Sequence, residues 1–240
     1  MKKFFTVIRR GNIEEVKAIL KRKPEVISSI STPPPKKDIG QSPLQVAVKI
    51  GEFEIAYLLI DYGADVNFME AEGEGITWRS PILHDAIRTI FGSLCYGNLN
   101  NSNEGLKLMR HLLEKGAHIN KLDSHGDNAW EIAIDEGQKI ILNPGSYFVA
   151  QDFAQKRLTE VLDLLVEYGV ENKEWLNKYG VSYSPFGGTN REMYVDDFVP
   201  REDKVEEITV RGKTYSHVAK GDIDHTAEMR KIIRKYYINE

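Results

Sequence analysis

The sequence has little of several features that would point to a particular class of protein. Cys95 is the single cysteine among 240 residues, so no internal disulfide framework can form, and one thiol fits a reducing compartment. The net charge of -4 gives no general attraction to nucleic acid or to an anionic membrane. The N-terminal apolar run, residues 4–8, is shorter than the roughly 7–15 residues of a signal peptide, and no later run approaches the ~18 residues of a membrane span. We therefore expect a soluble, cytoplasmic protein with no nucleic-acid and no membrane partner.

Residues arranged for catalysis or metal binding are equally scarce. None of the six histidines has the spacing of a metal-ligand motif, and there is no cysteine pair. Asp222, Asp224 and His225 stand together and could support acid–base chemistry, but the N-terminus of a helix explains them better. Cys95 has no evident activating neighbour. We therefore expect no catalytic residue, no metal and no cofactor.

One phrase of sequence occurs three times, as LIDYGADVN at 59–67, LLEKGAHIN at 112–120 and LVEYGVEN at 165–172. Its glycines, Gly63, Gly116 and Gly169, are each 53 residues from the next. Apolar residues at i, i+3 and i+4 precede each glycine and predict one buried helical face. Because glycine adopts the left-handed conformation without strain, it is the usual residue after a helix end. Each phrase therefore predicts the end of a helix followed by a turn.

A second phrase precedes each of the first, as GQSPLQVAV at 40–48, RSPILHDAI at 79–87 and GDNAWEIAI at 126–134. Ser42, Ser80 and Asn128 can cap a helix N-terminus, because a side-chain oxygen accepts a free N–H of the first turn. Pro43 and Pro81 suit the first helical position, where no N–H is needed. The predicted unit is therefore a turn, a short helix, a second helix and a glycine turn.

This unit resembles the ankyrin repeat, which has a Thr-Pro-Leu-His-x-Ala start to its first helix and a Gly-Ala-Asp-Val-Asn end. The fullest unit matches it at Gly40, Ser42, Pro43, Leu44, Ala47, Gly63, Ala64, Asp65, Val66 and Asn67. The next two match it in part, at Leu83, His84, Ala86, Gly116, Ala117, Ile119 and Asn120, and then at Asp123, Gly126, Ala133, Gly169 and Asn172. With a degenerate first unit at 4–20, the resemblance covers residues 1–172. It implies an all-α ankyrin-repeat solenoid of about four helix-turn-helix units, near 1–36, 37–69, 70–122 and 123–172.

Two of these units are longer than the usual ~33 residues. The extra sequence falls in a lengthened finger at 68–78 and in insertions at 92–105 and 138–151. The first insertion is rich in Asn, Gly and Ser and predicts a loop. The second is apolar, so we expect it to pack against the first rather than stand in water. The sequence leaves open whether the insertions also bind a partner.

The remaining residues, 173–240, do not follow the repeat. Residues 173–203 indicate an ordered irregular segment, residues 205–219 alternate around a glycine turn as a β-hairpin does, and residues 224–237 predict a helix. A terminal repeat has an apolar side that needs a cover. We therefore expect a small mixed α/β cap on the last repeat.

In ankyrin-repeat proteins, the concave face of finger tips and first helices usually binds another protein. The resemblance therefore implies a non-catalytic protein-binding module, with His84 in a structural role on the backbone. Carried over position by position, the expected contact residues are Asp38, Gln41, Lys49, Phe68, Met69, Trp78, Arg79, Arg88, Thr89, Ser124, His125, Asp127, Asp135 and Glu136. Trp78 and Arg79 are the best anchors, since Trp and Arg dominate interface hot spots. The alternative for Trp78 is burial under its own loop.

A small chain that is only a capped repeat stack resembles bacterial ankyrin-type immunity or regulatory proteins, which neutralise a toxin or hold an enzyme inactive. Two alternatives stay open. The first is an enzyme whose site uses His217, Asp222 and His225. The second is a nucleic-acid binder with a basic stripe formed by Arg9, Arg10, Arg230, Lys231, Arg234 and Lys235. The sequence leaves the identity of the partner and the oligomeric state open, with a monomer favoured.

Overall fold

The computed structural model describes residues 2–32, 38–73, 76, 78–143, 146–172, 204–210, 212–219 and 226–237. These residues belong to two compact units. The first unit comprises Met1–Ile140 with Pro144–Lys173, and the second comprises Ile141–Asn143 with Glu174–Glu240.

The secondary-structure elements described in the first unit are all helices, and its α-helices follow one another in pairs. The pairs are α1 (Lys2–Arg9) with α2 (Ile13–Arg22), α3 (Pro43–Lys49) with α4 (Phe53–Asp61), α5 (Ile82–Cys95) with α6 (Leu99–Glu114), and α7 (Ala129–Ile141) with α8 (Gln151–Glu167). A short 3₁₀ helix, Pro24–Ser28, follows α2. The first helices α1, α3 and α5 contact one another in turn, and so do the second helices α2, α4 and α6. This mostly helical architecture confirms the expected fold class at the level of helix pairs.

The helix starts show which predicted caps form. Ser42 caps α3, because its Oγ accepts a hydrogen bond from the Gln45 N–H at 3.1 Å, and Pro43 is the first residue of the helix. Asn128 also caps as predicted, with its Oδ1 accepting from the Glu131 N–H at 3.1 Å. The predicted cap at Ser80 is wrong, since α5 begins at Ile82 after Pro81 and the Ser80 hydroxyl accepts from Arg88 instead.

The three repeated glycines end α4, α6 and α8 as expected. Gly63, Gly116 and Gly169 have φ angles of 87°, 86° and 78°, in the left-handed region that favours glycine. Each backbone N–H donates to the carbonyl three residues earlier, at 2.9 to 3.0 Å. The repeated phrase is therefore a helix end and a turn.

The asparagine that closes each phrase explains the common spacing. Asn67 donates from Nδ2 to the Gly116 carbonyl at 2.9 Å, and its Oδ1 accepts from the His118 N–H at 2.6 Å. Asn120 repeats this one step later, donating to the Gly169 carbonyl at 3.4 Å and accepting from the Glu171 N–H at 2.7 Å. The spacing of 53 residues is thus the step from one helix pair to its neighbour.

The first insertion is not a loop, so that expectation is wrong. Helix α5 continues to Cys95 and α6 begins at Leu99, which leaves only residues 96–98 as a turn. Gly97 takes a φ of 70°, and the Asn98 Oδ1 caps α6 by accepting from the Asn101 N–H at 3.0 Å. The turn-forming residues therefore serve as the end of one helix and the start of the next, and the rest of the insertion adds helical turns.

The second insertion contacts the first, as expected. The Phe148 N–H donates to the Cys95 carbonyl at 3.3 Å. Its apolar side chains are only partly covered, since Ile140 is buried whereas Phe148 is 83% exposed, beside Tyr96 at 82%. The two insertions therefore meet through a backbone hydrogen bond, whereas the rings of Tyr96 and Phe148 stay exposed.

The second unit contains the predicted hairpin and helix. Strands β1 (Lys204–Val210) and β2 (Lys213–Ala219) pair antiparallel, with Ile208 opposite Tyr215. Gly212, with a φ of 73°, lies in the turn between them. Helix α9 spans Thr226–Ile233. The expected irregular segment at 173–203 lies outside the described residues, and the capping role stays a prediction.

Candidate functional site

Two finger segments lie side by side next to α5 and α7. We define the first finger as the described residues 68–73, 76 and 78–80, and the second finger as residues 123–128. The Ser124 N–H donates to the Arg79 carbonyl at 3.1 Å, and the Arg79 N–H donates to the Ser124 Oγ at 3.1 Å. The Asp123 Oδ1 accepts from the N–H groups of His125 and Asp127, at 2.8 and 3.2 Å, and so holds the second finger in a tight turn. The fingers are therefore joined across 45 residues of sequence.

Trp78 is fixed in place and still exposed. Its Nε1 donates to the Asp123 Oδ2 at 3.0 Å, and the edge of the His125 ring meets it at a centroid distance of 5.9 Å. The Arg88 guanidinium carbon lies 3.9 Å from the centre of the indole ring. The residue is nevertheless 43% exposed, so it is not tucked under its own loop. The structure presents this indole in one orientation.

Arg88 connects α5 to both fingers and to α7. Its Nη1 donates to the Ser80 Oγ at 2.7 Å, and its guanidinium lies 3.6 Å from the Asp123 carboxylate. Two further carboxylates, of Asp85 and Glu136, are 3.7 and 3.9 Å away. Burial lowers the pKa of Arg88. The half-buried guanidinium of Arg88 therefore lies near three carboxylates and stacks on the indole of Trp78.

Beneath Arg88 lie two fully covered polar side chains, His84 and Asp85. The Gln45 Nε2 donates to the Asp85 Oδ2 at 3.1 Å and to the Ser80 carbonyl at 2.9 Å. Burial raises the pKa of Asp85 to about 6, against the nearby charges of Lys49 and Arg88. Burial, with the charge of Arg88, lowers the pKa of His84 to about 4. The bond from Gln45 to Asp85 therefore joins the first helices α3 and α5 inside the unit.

An acidic rim, defined as Asp127, Asp135 and Glu136, borders Arg88 on the side of α7 and the second finger. Burial raises the pKa of Asp127 and of Asp135, and neighbouring carboxylates raise both further. The Gln138 Nε2 donates to the Asp135 Oδ1 at 3.0 Å. The rim therefore holds several partly covered carboxylates close together.

Residues 39–70 match the family model of the ankyrin repeat. This chain contains an ankyrin repeat. The match covers α3, α4, the Gly63 turn and the start of the first finger. A comparison with curated proteins finds no match. Ankyrin repeats generally mediate protein–protein interaction, and the family is typically non-catalytic.

The structure exposes some of the expected contact residues and covers others. The exposed ones are Lys49, Trp78, Ser124 and His125. The half-buried ones are Phe68, Met69, Arg79, Arg88, Thr89, Asp127, Asp135 and Glu136. Of the fourteen contact residues expected from the sequence, the geometry brings together Trp78, Arg79, Arg88, Ser124, His125, Asp127, Asp135 and Glu136.

Asp38 and Gln41 are corrections, because both are buried, at 5% and 4% exposure. Asp38 forms an ion pair with Arg9, and the Gln41 carbonyl accepts from the Ser31 N–H at 2.9 Å. Both lie in the turn that precedes α3, and neither side chain is available to a partner there. Thr89 also serves the interior, since its Oγ1 contacts the carbonyls of Val48 and Asp85 at 3.1 and 2.8 Å.

The sequence reasoning missed three polar residues that position the site. Asp123 holds Trp78 and the second finger, Gln45 holds Asp85, and the Glu70 Oε2 accepts from the Ser80 N–H at 2.9 Å. The sequence identifies Asp123 only as a residue that matches the ankyrin pattern. The available signal was the pair Asp123 and Asp127 flanking a glycine, a pattern that favours side-chain to backbone bonds in a turn.

The alternative functions receive no support from the residues that bear on them. Arg9 is paired with Asp38 and largely covered, so it does not extend a basic stripe. Asp222 and His225 lie outside the described residues. Burial raises the pKa of Cys95, which keeps this thiol protonated near neutral pH. Within the described ranges, no group of three or more His, Cys, Asp and Glu side chains could hold a metal ion. No helix there has the length and apolar character needed to cross a membrane.

Proposed function

We propose that this ankyrin-repeat protein binds a protein partner, without catalysing a reaction, through its finger surface. The finger surface is defined as Lys49, Trp78, Arg79, Ser124, His125 and the acidic rim. It corresponds to the concave face of a solenoid with repeat units near 1–36, 37–69, 70–122 and 123–172. In this proposal, residues 173–240 form a cap on the last unit, and the protein acts in the cytoplasm as a monomer.

The observation that carries the proposal is the fixed but exposed indole of Trp78. Single exposed apolar residues are common on protein surfaces and need no special role. Trp78 differs because a hydrogen bond to Asp123 and stacking on Arg88 hold its ring in one orientation. A residue that is already ordered loses little conformational entropy on binding, and Trp is the most enriched residue at interface hot spots.

A narrower form of the proposal follows from the resemblance to bacterial immunity and regulatory proteins. The partner would then be a toxin or an enzyme that is inactive while bound. Support comes from that resemblance and from the fixed, exposed indole of Trp78 on the finger surface. The captured partner should lose its own activity when mixed with this protein at a one-to-one ratio.

The test compares two variants that each remove one exposed aromatic ring. Trp78→Ala removes the proposed hot spot, and Tyr96→Ala removes a ring that is more exposed but lies at the insertion turn. The partner is first captured from the native cell with the wild-type protein and then purified. We expect Trp78→Ala to weaken its affinity by about 30-fold or more, as hot-spot truncation does, and Tyr96→Ala to change it less than twofold.

The circular dichroism and unfolding midpoint of both variants must match wild type for this comparison to count. If Tyr96→Ala abolished binding while Trp78→Ala left it intact, the binding surface would lie at the insertions and the proposal would be wrong.

A further inference from the structure

The finger surface carries more negative charge than its own cations balance. Five carboxylates gather at one end of it, on Asp85, Asp123, Asp127, Asp135 and Glu136. The guanidinium of Arg88 is shared among three of them, at 3.6 to 3.9 Å. Lys139 lies 2.7 Å from the Glu136 carboxylate. Arg88, Lys139 and Lys49, whose charge also acts on Asp85, together leave an excess of about two negative charges, counted at full ionisation.

The carboxylates of Asp127 and Asp135 have no cation within ion-pair distance among the described residues, although other carboxylates lie near both. Both side chains are half-buried, so water compensates their charge less well than at an open surface. A positive group placed between them would gain attraction from both at once.

A second observation at the same place is the carboxamide of Gln138. Its Nε2 is bonded to Asp135 at 3.0 Å, which holds the group against the acidic rim. Its Oε1 is covered and has no hydrogen-bond donor within the described part of the chain. The whole residue is only 6% exposed. A buried acceptor without a donor is costly, and this one belongs to the carboxamide that is bonded to Asp135.

A cation with several N–H donors supplies both the positive charge and the hydrogen-bond donors that the described part of this surface lacks. Guanidinium is better matched than ammonium, because its planar fork bonds carboxylates in pairs and its face stacks on aromatic rings. Trp78 supplies such a ring. Arg88 already stacks on its indole, and the side chain is still 43% exposed. An anionic partner such as nucleic acid would instead be repelled by the same carboxylates.

We infer that the partner of the finger surface presents a basic side chain, preferably arginine, that enters the acidic rim beside Trp78. This inference rests on the proposed protein-binding function and specifies the chemistry of the partner. The partner's contact segment is therefore basic where it meets α7 and the second finger. Opposite charges on two proteins speed and orient their association, and added salt weakens it.

The test is a selection of random peptides displayed on phage, carried out on the whole wild-type protein. We expect the selected peptides to share an arginine or lysine at one position. A synthetic peptide of the selected sequence is then measured against two triple variants with the same change in net charge. The rim variant is Asp127→Asn, Asp135→Asn and Glu136→Gln. The control variant is Asp61→Asn, Glu114→Gln and Asp163→Asn, which neutralises exposed carboxylates on α4, α6 and α8.

The rim variant should bind the peptide at least tenfold more weakly, whereas the control variant should stay within about twofold of wild type. Replacing the shared arginine by citrulline, which removes its charge, should cause a similar loss on wild type and little further loss on the rim variant. The single variant Asp135→Asn, which keeps the bond to Gln138, gives the same direction of change if the triple variant folds poorly.

The two ideas fail in different ways. Peptides that bind in a Trp78-dependent manner but show no basic preference, or that bind the rim variant as well as wild type, would overturn the inference and leave the proposed function standing. Selection that yields no Trp78-dependent peptide would overturn both.

Discussion

At the residue scale, His84 and Asp85 are neighbours in sequence that respond to burial in opposite directions. Both are almost fully covered beneath the finger surface. Burial disfavours the charged form of each, so the pKa of His84 falls to about 4 and that of Asp85 rises to about 6. The two titrations therefore act on folding stability with opposite signs.

The sign for each residue follows from which state binds the proton first. The pKa of His84 is lower in the folded state than its ordinary 6.5, so the unfolded chain takes up this proton first and stability falls as pH drops from about 6.5 to 4. The pKa of Asp85 is higher in the folded state than its ordinary 3.8, so stability rises as pH drops from about 6 to 3.8. In the wild-type protein these two contributions largely cancel between pH 4 and 6.

Asp85→Asn removes one of the two contributions and makes the other visible. We expect its free energy of unfolding to fall by about 2 kcal/mol more than that of wild type between pH 7 and pH 4, because the compensating protonation of Asp85 is lost while that of His84 remains. Urea unfolding at both pH values measures the difference. An equal pH dependence in the two proteins would show that Asp85 does not carry the raised pKa described above.

At the element scale, the lengthened helices depend on how closely their neighbours approach. Gly105 lies in α6 where a Cβ would be 2.9 Å from the Ile90 side chain, and Gly137 lies in α7 where a Cβ would be 2.8 Å from the Leu158 side chain. Gly92, in α5, faces open space. The same residue type therefore serves close packing at two positions and has no packing role at the third.

Alanine at Gly92 and at Gly137 should change stability in opposite directions. Gly92→Ala should stabilise by up to about 1 kcal/mol, because alanine favours a helix and nothing obstructs its methyl group. Gly137→Ala gains the same helix propensity but forces Leu158 to move, and overpacking costs about 1–3 kcal/mol. The midpoints of urea unfolding measure both, and a Gly137→Ala protein more stable than Gly92→Ala would contradict the close approach of α7 and α8.

At the scale of the whole molecule, the 53-residue step is held by side chains as well as by helix packing. Asn67 and Asn120 bind the backbone of the next helix pair through the same two kinds of hydrogen bond. In stacked repeats, stability comes largely from contacts between neighbours, because a single pair cannot bury its own apolar face. These asparagines therefore link local turns into one cooperative unit.

Asn67→Ala and Asn120→Ala should each lower the free energy of unfolding by about 1–2 kcal/mol, since each removes two partly exposed hydrogen bonds. Asn100→Ala, on an exposed position of α6, is the matched control and should change it by less than about 0.5 kcal/mol. Hydrogen exchange locates the effect: the His118 amide should exchange faster in Asn67→Ala and not in Asn120→Ala. Equal exchange at His118 in both variants would mean that the asparagine does not protect that amide.

Much of the fold can be predicted from the sequence because helix ends are decided by nearby atoms. Ser42, Asn128 and the three glycines act on groups within a few residues, so their phrases predict the helix pairs correctly. The same local logic misassigned residues 92–105, since Asn and Gly favour loops but also start and end helices. Neighbouring helices decided between these outcomes, and they are not visible in a local pattern.

The sequence by itself determined the repeat, its 53-residue step, the hairpin and the helical class. Only the tertiary structure decided which of the expected contact residues meet and which are covered. Trp78, Arg88 and Asp123 come from three separate stretches of the chain and touch only because the helix pairs stack. Asp38 and Gln41 are covered for the same reason, since their burial depends on elements distant in sequence. Short-range hydrogen bonds can be inferred from adjacent letters, whereas a surface is the sum of contacts between residues that the chain order keeps far apart.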